Sequence, residues 1–154
     1  MYSGTCLAGA TSPGPAGAAE RETRRMEPIV TSDLTILGRT VHHPVAHVEC
    51  FDAPTGCTRV RFTTDEVASM CPVTSQPDLS HVVIDYEPDG RCVESKSLKL
   101  YLWGFRDRAV FAESLAVEIA DEVMAAASPH RVTVTLTQRP RGGITLEATA
   151  ERVR

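Results

Sequence analysis

Apolar residues recur along this chain with two periods, and the switches between them outline the fold. The segment "CTRVRFTT" (57–64) alternates apolar and polar positions, and "HVVIDYEP" (81–88) is rich in β-branched residues; each predicts a strand. Between them "ASMCPVTSQPD" (68–78) reads as a loop, its shapes limited by Pro72 and Pro77. "PDG" (88–90) predicts a turn. Over 95–107 the period changes: Leu98, Tyr101, Leu102 and Phe105 form a helical stripe. A second helix is expected over 111–127, with Leu115, Ile119 and Val123 on one face. "VTVTLTQ" (132–138) and "ITLEATAE" (144–151) alternate strictly on either side of the turn "RPRGG" (139–143), which predicts a hairpin. The order β-β-α-α-β-β implies an α+β domain, with an antiparallel four-stranded sheet carrying two helices on one face. Such a sheet has two open edges, and pairing with neighbouring subunits in a ring-shaped homo-oligomer would cover them.

Residues 1–28 break this pattern. They are Ala, Gly, Ser and Pro with almost no large apolar side chain, so a disordered tail is expected before a single domain at 29–154, and Met26 is a candidate true start. The length of 154 residues and 42% hydrophobic content fit one domain with an ordinary core. A formal charge of −4 argues against general binding to nucleic acid or anionic membranes, while leaving room for a local basic cluster around a phosphate. No apolar run has the length of a bilayer span. The five cysteines are odd in number and include no C-x-x-C pair, which fits a reducing, cytoplasmic setting. His42, His43 and His47 are interrupted by Pro44 and lack a recognisable ligand spacing, so no metal is expected.

Three groups of residues could carry chemistry. Cys71 lies in the proline-bounded loop with Asp78 seven positions on: a thiol nucleophile with an acid beside it, or a structural cysteine near a helix-capping aspartate. Lys96 and Lys99 open a helix and Arg141 sits in a glycine turn. Both settings present backbone N–H groups to anions, though a solvated charged face is the alternative. Glu94 and Glu113 could each accept paired hydrogen bonds from the N–H edge of a guanine-like base, or could simply be acids favoured at a helix N-terminus.

Taken in order, "CPVTSQPD", "ESKSLKLY" (94–101), "FAE" and "PRGG" resemble the 7-cyano-7-deazaguanine reductases, QueF-type nitrile reductases of the queuosine pathway, in their short single-module form. The resemblance spans roughly residues 34–147. It implies the tunnelling fold shared with GTP cyclohydrolase I, whose subunits join sheets edge to edge into barrels, typically decamers of two pentamers with active sites between subunits. It implies Cys71 as the nucleophile that forms a thioimide with the nitrile of 7-cyano-7-deazaguanine, and Asp78 as proton donor. It places Val93, Glu94, Ser95, Ala112 and Glu113 at the substrate, and Ser95, Lys96, Lys99, Arg141 and Gly142 at NADPH.

One position departs from the family pattern. Phe-His-Glu is usual where this chain reads Phe111-Ala112-Glu113, and alanine can neither give nor take a proton. Three explanations follow: another residue such as His81 substitutes, reduction is slow, or the thioimide is used without reduction, as in relatives that add ammonia to form an amidine. The intact "ESKSLKLY" segment favours reduction.

Overall fold

The computed structural model describes residues 34–154. The expected tail at 1–28, with Met26 and Cys6, lies outside the described residues. The elements are β1 (Cys50–Asp52), β2 (Val60–Met70), β3 (Pro77–Glu87), β4 (Arg91–Val93), α1 (Ser95–Trp103), α2 (Ala112–Ala127), β5 (Arg131–Arg141) and β6 (Ile144–Val153). The main sheet is antiparallel throughout with order β2-β3-β5-β6, and β1 and β4 form a separate two-stranded ribbon. The β-β-α-α-β-β order therefore holds for the main sheet. The ribbon escapes the periodicity reading because three residues per strand are too few to show a period.

Alternation explains the sheet's two faces. Val132, Val134 and Leu136 of β5 and Val82, Ile84 and Tyr86 of β3 are buried, and with Leu115, Ile119 and Val123 of α2 and Leu98 and Tyr101 of α1 they form one core cluster. α2 adds Ala112, Ala116, Ala120 and Ala127 to its buried stripe, small residues that let it approach the sheet closely. The opposite sheet face is polar, with the Arg59–Asp85 and His81–Asp65 pairs.

Four boundaries differ from expectation. β2 runs to Met70 and β3 starts at Pro77, so the loop is 71–76 rather than 68–78. The cause is a β-bulge: Thr64 pairs with Val82 but Val67 pairs with Ser80, leaving Asp65 and Glu66 opposite one residue. The extra residue reverses which positions face the helices, so Val67 and Ser69 are buried and the alternation seen at 57–64 breaks. α1 ends at Trp103, and Phe105 reaches the core from the turn that follows, edge-on to Tyr101 at 5.2 Å. Finally, the hairpin turn is only Gly142–Gly143, both at positive φ, as a two-residue turn of the type I′ kind requires. Arg139, Pro140 and Arg141 belong to β5.

Ile119 is fully buried at the centre of α2's contact with the sheet. Replacing it with alanine leaves a cavity between close-packed layers, and Ile119→Ala is expected to lower unfolding stability by roughly 2–5 kcal/mol in urea titration at unchanged slope. A loss below about 1 kcal/mol would show that α2 does not anchor the core.

Candidate active site

Cys71 immediately follows β2. Its backbone N–H donates to Gln76 O at 2.9 Å, and Ser75 N–H donates back to Cys71 O at 2.9 Å, closing the loop on itself. Ser75 takes a positive φ of 52°, which bends the chain sharply there. The fold turns donors onto the sulfur: the hydroxyl and backbone N–H of Thr74 first, then the Arg141 guanidinium and the Val73 N–H. These contacts favour the anion, and they lower the Cys71 pKa to about 6. Cys71 thus stands in a half-exposed loop with donors favouring its anion, unlike a buried structural thiol. Cys50, by contrast, is buried and pushed up to about 11 by desolvation.

Asp78 lies in β3, a correction to its expected place in the loop. It pairs in register with Ser69, and only 4% of it is exposed. Because the bulge has changed the parity of β2, Ser69 and Asp78 share the helix-facing side, and Cys71 follows on that side. Arg141 Nη2 lies 2.8 Å from Asp78 Oδ1, but off the axis of an aligned hydrogen bond, so this buried oxygen has an ionic neighbour without a satisfied donor. Among the described residues no helix is capped by Asp78, which removes the capping alternative.

A second contact brings α2 to this loop. Met70 N–H donates to Arg108 O at 2.8 Å and Val110 N–H donates to Met70 O at 3.1 Å, tying the α1–α2 connection to the end of β2. Ala112 and Glu113 open α2 just beyond. Ala112 is buried and Glu113 is exposed in the first turn. His81 does not stand in for the missing histidine within this chain: it lies on the polar sheet face, 2.9 Å from Asp65.

In the "ESKS" segment the helix-terminal alternative holds for Glu94. Glu94 is the N-cap of α1, its carboxylate accepting the N–H groups of Lys96 at 2.8 Å and Ser97 at 2.7 Å. Those N–H groups are therefore taken, and the helix start is not an open anion cradle. Glu94 is buried, and its carboxylate caps α1. Ser97 Oγ donates to Glu94 O and accepts Glu49 N–H, and Val93 N–H donates to the buried Tyr86 hydroxyl at 2.9 Å. Lys96 Nζ donates to the Ile36 and Arg39 carbonyls. Lys99, with Ser95, Trp103 and Arg106, lines an open cavity of about 840 Å³ between α1 and β2. Val93, Glu94 and Ser95 also border a mainly apolar cavity of about 460 Å³ with Val60 and Phe62.

The expected site residues thus fall into two groups. Cys71, Asp78, Arg141, Ala112 and Glu113 gather at the end of β2. Val93, Glu94, Ser95 and Lys96 gather beside Phe62 near its start. These ends are separated by almost the full length of the strand, about 25–30 Å at the rise of an extended chain. Gly142 is at the hairpin tip, with open space where a Cβ would stand. The residues missed by sequence reasoning are Thr74 and Gln76, whose signal was a hydroxyl three positions after a cysteine in a tight loop, and Tyr86, for which no local signal exists. Among the described residues no group of His, Cys, Asp and Glu converges as a metal site, and no helix is long and apolar enough to cross a membrane.

The donors around Cys71 make its ionisation measurable. Alkylation of Cys71 by iodoacetamide is expected to accelerate as pH rises through a midpoint near 6, since the thiolate is the reacting form. A midpoint near the ordinary thiol value of about 8.5 would contradict this geometry.

Comparison with known proteins places the chain. A family model described as QueF-like protein matches residues 77–154. A protein of Synechococcus sp. named NADPH-dependent 7-cyano-7-deazaguanine reductase is 40% identical over 134 residues, covering 83% of this chain and 77% of the relative. One of the same name from Frankia casuarinae is 41% identical over 117 residues, 76% of this chain and 94% of the relative. Another from Sinorhizobium fredii is 49% identical over 88 residues, 57% of each. Among solved structures, the archaeosine synthase QueF-Like in the apo form superposes with a TM-score of 0.58 at 31% identity, covering 61% of this chain and 92% of that one. With this coverage and the Cys71–Asp78 geometry at its centre, the chain belongs to the QueF-like family.

Proposed function

We propose that this protein is an NADPH-dependent 7-cyano-7-deazaguanine reductase, converting the nitrile to the aminomethyl group through a thioimide on Cys71. The observation that carries the reading is that Arg141 joins the half-exposed Cys71 loop, through Gln76, to the buried carboxyl of Asp78, with the Cys71 pKa lowered to about 6. A nitrile accepts hydride poorly. Attack by the Cys71 sulfur forms a C–S bond, breaks one C–N π bond and leaves a C=N group that is reduced more readily. Nitrogen takes its proton from Asp78, whose Oδ1 has no aligned donor occupying it. NADPH, when bound, supplies the two hydride equivalents that nitrile-to-amine reduction requires. Lys99 and Arg106 on the cavity beside α1, with the Trp103 ring, are suited to a dinucleotide's phosphates and rings. Lys96 would join them only on leaving the Ile36 and Arg39 carbonyls. Glu113, exposed beside the nucleophile loop, is the carboxylate available for the N–H edge of the base.

The separation of Val93–Lys96 from Cys71 along β2 supports a site shared between chains, while the cavity beside α1 runs along β2 as far as Ala68. The reading therefore includes a homo-oligomer in which the Cys71 end of one copy meets the Ser95–Lys99 end of another. Pairing through the open edges β2 and β6 would build a barrel, in the family's decamer of two pentamers. A cytoplasmic setting suits the four free cysteines of the described residues. Non-reducing use of the thioimide is not favoured, since the reductase name is the one the curated relatives above carry.

Ala112 leaves protonation to Asp78. Asp78→Asn is therefore expected to lower kcat for NADPH oxidation with 7-cyano-7-deazaguanine by about 10²–10⁴, while Cys71 alkylation persists. An Asp78→Asn enzyme within a factor of about two of wild type would remove Asp78 from the mechanism. A site shared between copies also predicts complementation: Cys71→Ala and Lys99→Ala chains, each inactive alone, should regain activity when co-assembled. Absence of recovery in verified mixed oligomers would place the site within one chain.

A further inference from the structure

Arg141 was expected at the cofactor, yet its guanidinium is turned onto the nucleophile loop. The geometry begins in β5. A register shift between Gln138 and Arg141 ends the regular pairing, and Arg141 is the last residue before the Gly142–Gly143 turn. From there the side chain crosses β3 to the neighbouring hairpin. Nη1 donates to Gln76 Oε1 at 3.0 Å and lies 3.4 Å from Thr74 Oγ1, while Nη2 is 2.8 Å from Asp78 Oδ1. These contacts bring the guanidinium to the Cys71 loop, where its charge favours the thiolate. A planar fork with several donors can serve an anionic sulfur and the oxygens of a carboxyl group together, which a point charge does less well. A surface arginine spread over four side chains of one loop and its following strand is not an ordinary solvated charge.

We propose that Arg141 is the positioning residue of the Cys71–Asp78 pair: from the β5–β6 hairpin it holds the sulfur as thiolate and fixes the Asp78 carboxyl beside it. The proposal rests on Cys71 being the nucleophile of the reading above, but it assigns Arg141 a role in the resting enzyme, before any cofactor arrives. The charged groups facing Cys71 are Arg141 from β5 and Asp78 from β3. Arg108, in the α1–α2 connection that pairs with Met70, turns its guanidinium to Glu118 at 2.7 Å instead. Thr74 is the stronger hydrogen-bond donor to sulfur, but it is neutral, so the charge stabilising the thiolate comes from Arg141.

The test is the pH profile of iodoacetamide alkylation at Cys71, read by peptide mass spectrometry on the full chain without substrate or cofactor. Arg141→Met and Arg141→Gln are compared with wild type; the glutamine keeps polar contacts to the loop and loses only the charge. Both are expected to move the midpoint up by about one unit, slowing alkylation at pH 6 roughly five- to tenfold, with Arg141→Lys recovering part of the loss. Should the methionine variant fail to fold by circular dichroism, the glutamine variant decides. In turnover, kcat is expected to fall more than KM for NADPH rises. Midpoints unchanged in the folded variants, or an effect confined to KM for NADPH, would overturn the proposal. A shifted midpoint in an enzyme that never oxidises NADPH would leave the proposal standing and remove the reductase reading alone.

Discussion

Two backbone hydrogen bonds at Met70 hold the candidate site together. Through them the end of β2 grips the α1–α2 connection, so the nucleophile loop and the start of α2 cannot drift apart. Main-chain contacts of this kind depend little on side-chain identity, and they bring the segment leading into α2 to the end of β2. The β-bulge at Asp65 and Glu66 acts on the same strand. By inserting one residue it carries Ser69 to the side of the sheet where Asp78 is buried, and Cys71 follows. Without the bulge the thiol and the carboxyl would lie on opposite faces of the sheet.

The same strand separates chemistry from scaffolding. At its far end Glu94, Ser97, Glu49 and Tyr86 are engaged in fixing the backbone of Val93–Ser95, with each polar group given to another. That end is rigid and satisfied. At the Cys71 end the polar groups are crowded onto one sulfur, and a buried carboxyl oxygen lacks an aligned donor. Satisfied groups hold shape, and unsatisfied ones remain available to a substrate.

Much of the fold was legible because β5, β6 and α2 keep strict periods: Val132, Val134 and Leu136 announce a half-buried strand without help from elsewhere. The β2–β3 hairpin was read too short because a bulge is invisible to alternation, and the loss of period at 68–70 looked like a loop. β1 and β4 are held by pairing with each other rather than by any local preference. In the site, Cys71 and Asp78 were legible by residue type and motif, but the burial of Asp78 was not. Glu94 carried two readings by residue type, and the cap it provides to the N–H groups of Lys96 and Ser97 became visible only in the structure. The reach of Arg141 to Cys71 depends on strand order β3-β5, a tertiary fact that no local pattern contains.

The central claim is that the Cys71 sulfur adds to a nitrile. It is tested most directly by intact-protein mass spectrometry after mixing the oligomeric protein with 7-cyano-7-deazaguanine in the absence of NADPH. The expected result is a single adduct with the mass of one substrate molecule per chain, mapped to Cys71, absent in Cys71→Ala and discharged when NADPH is added. A protein that binds the nitrile yet gains no mass on Cys71 would contradict covalent catalysis by this residue.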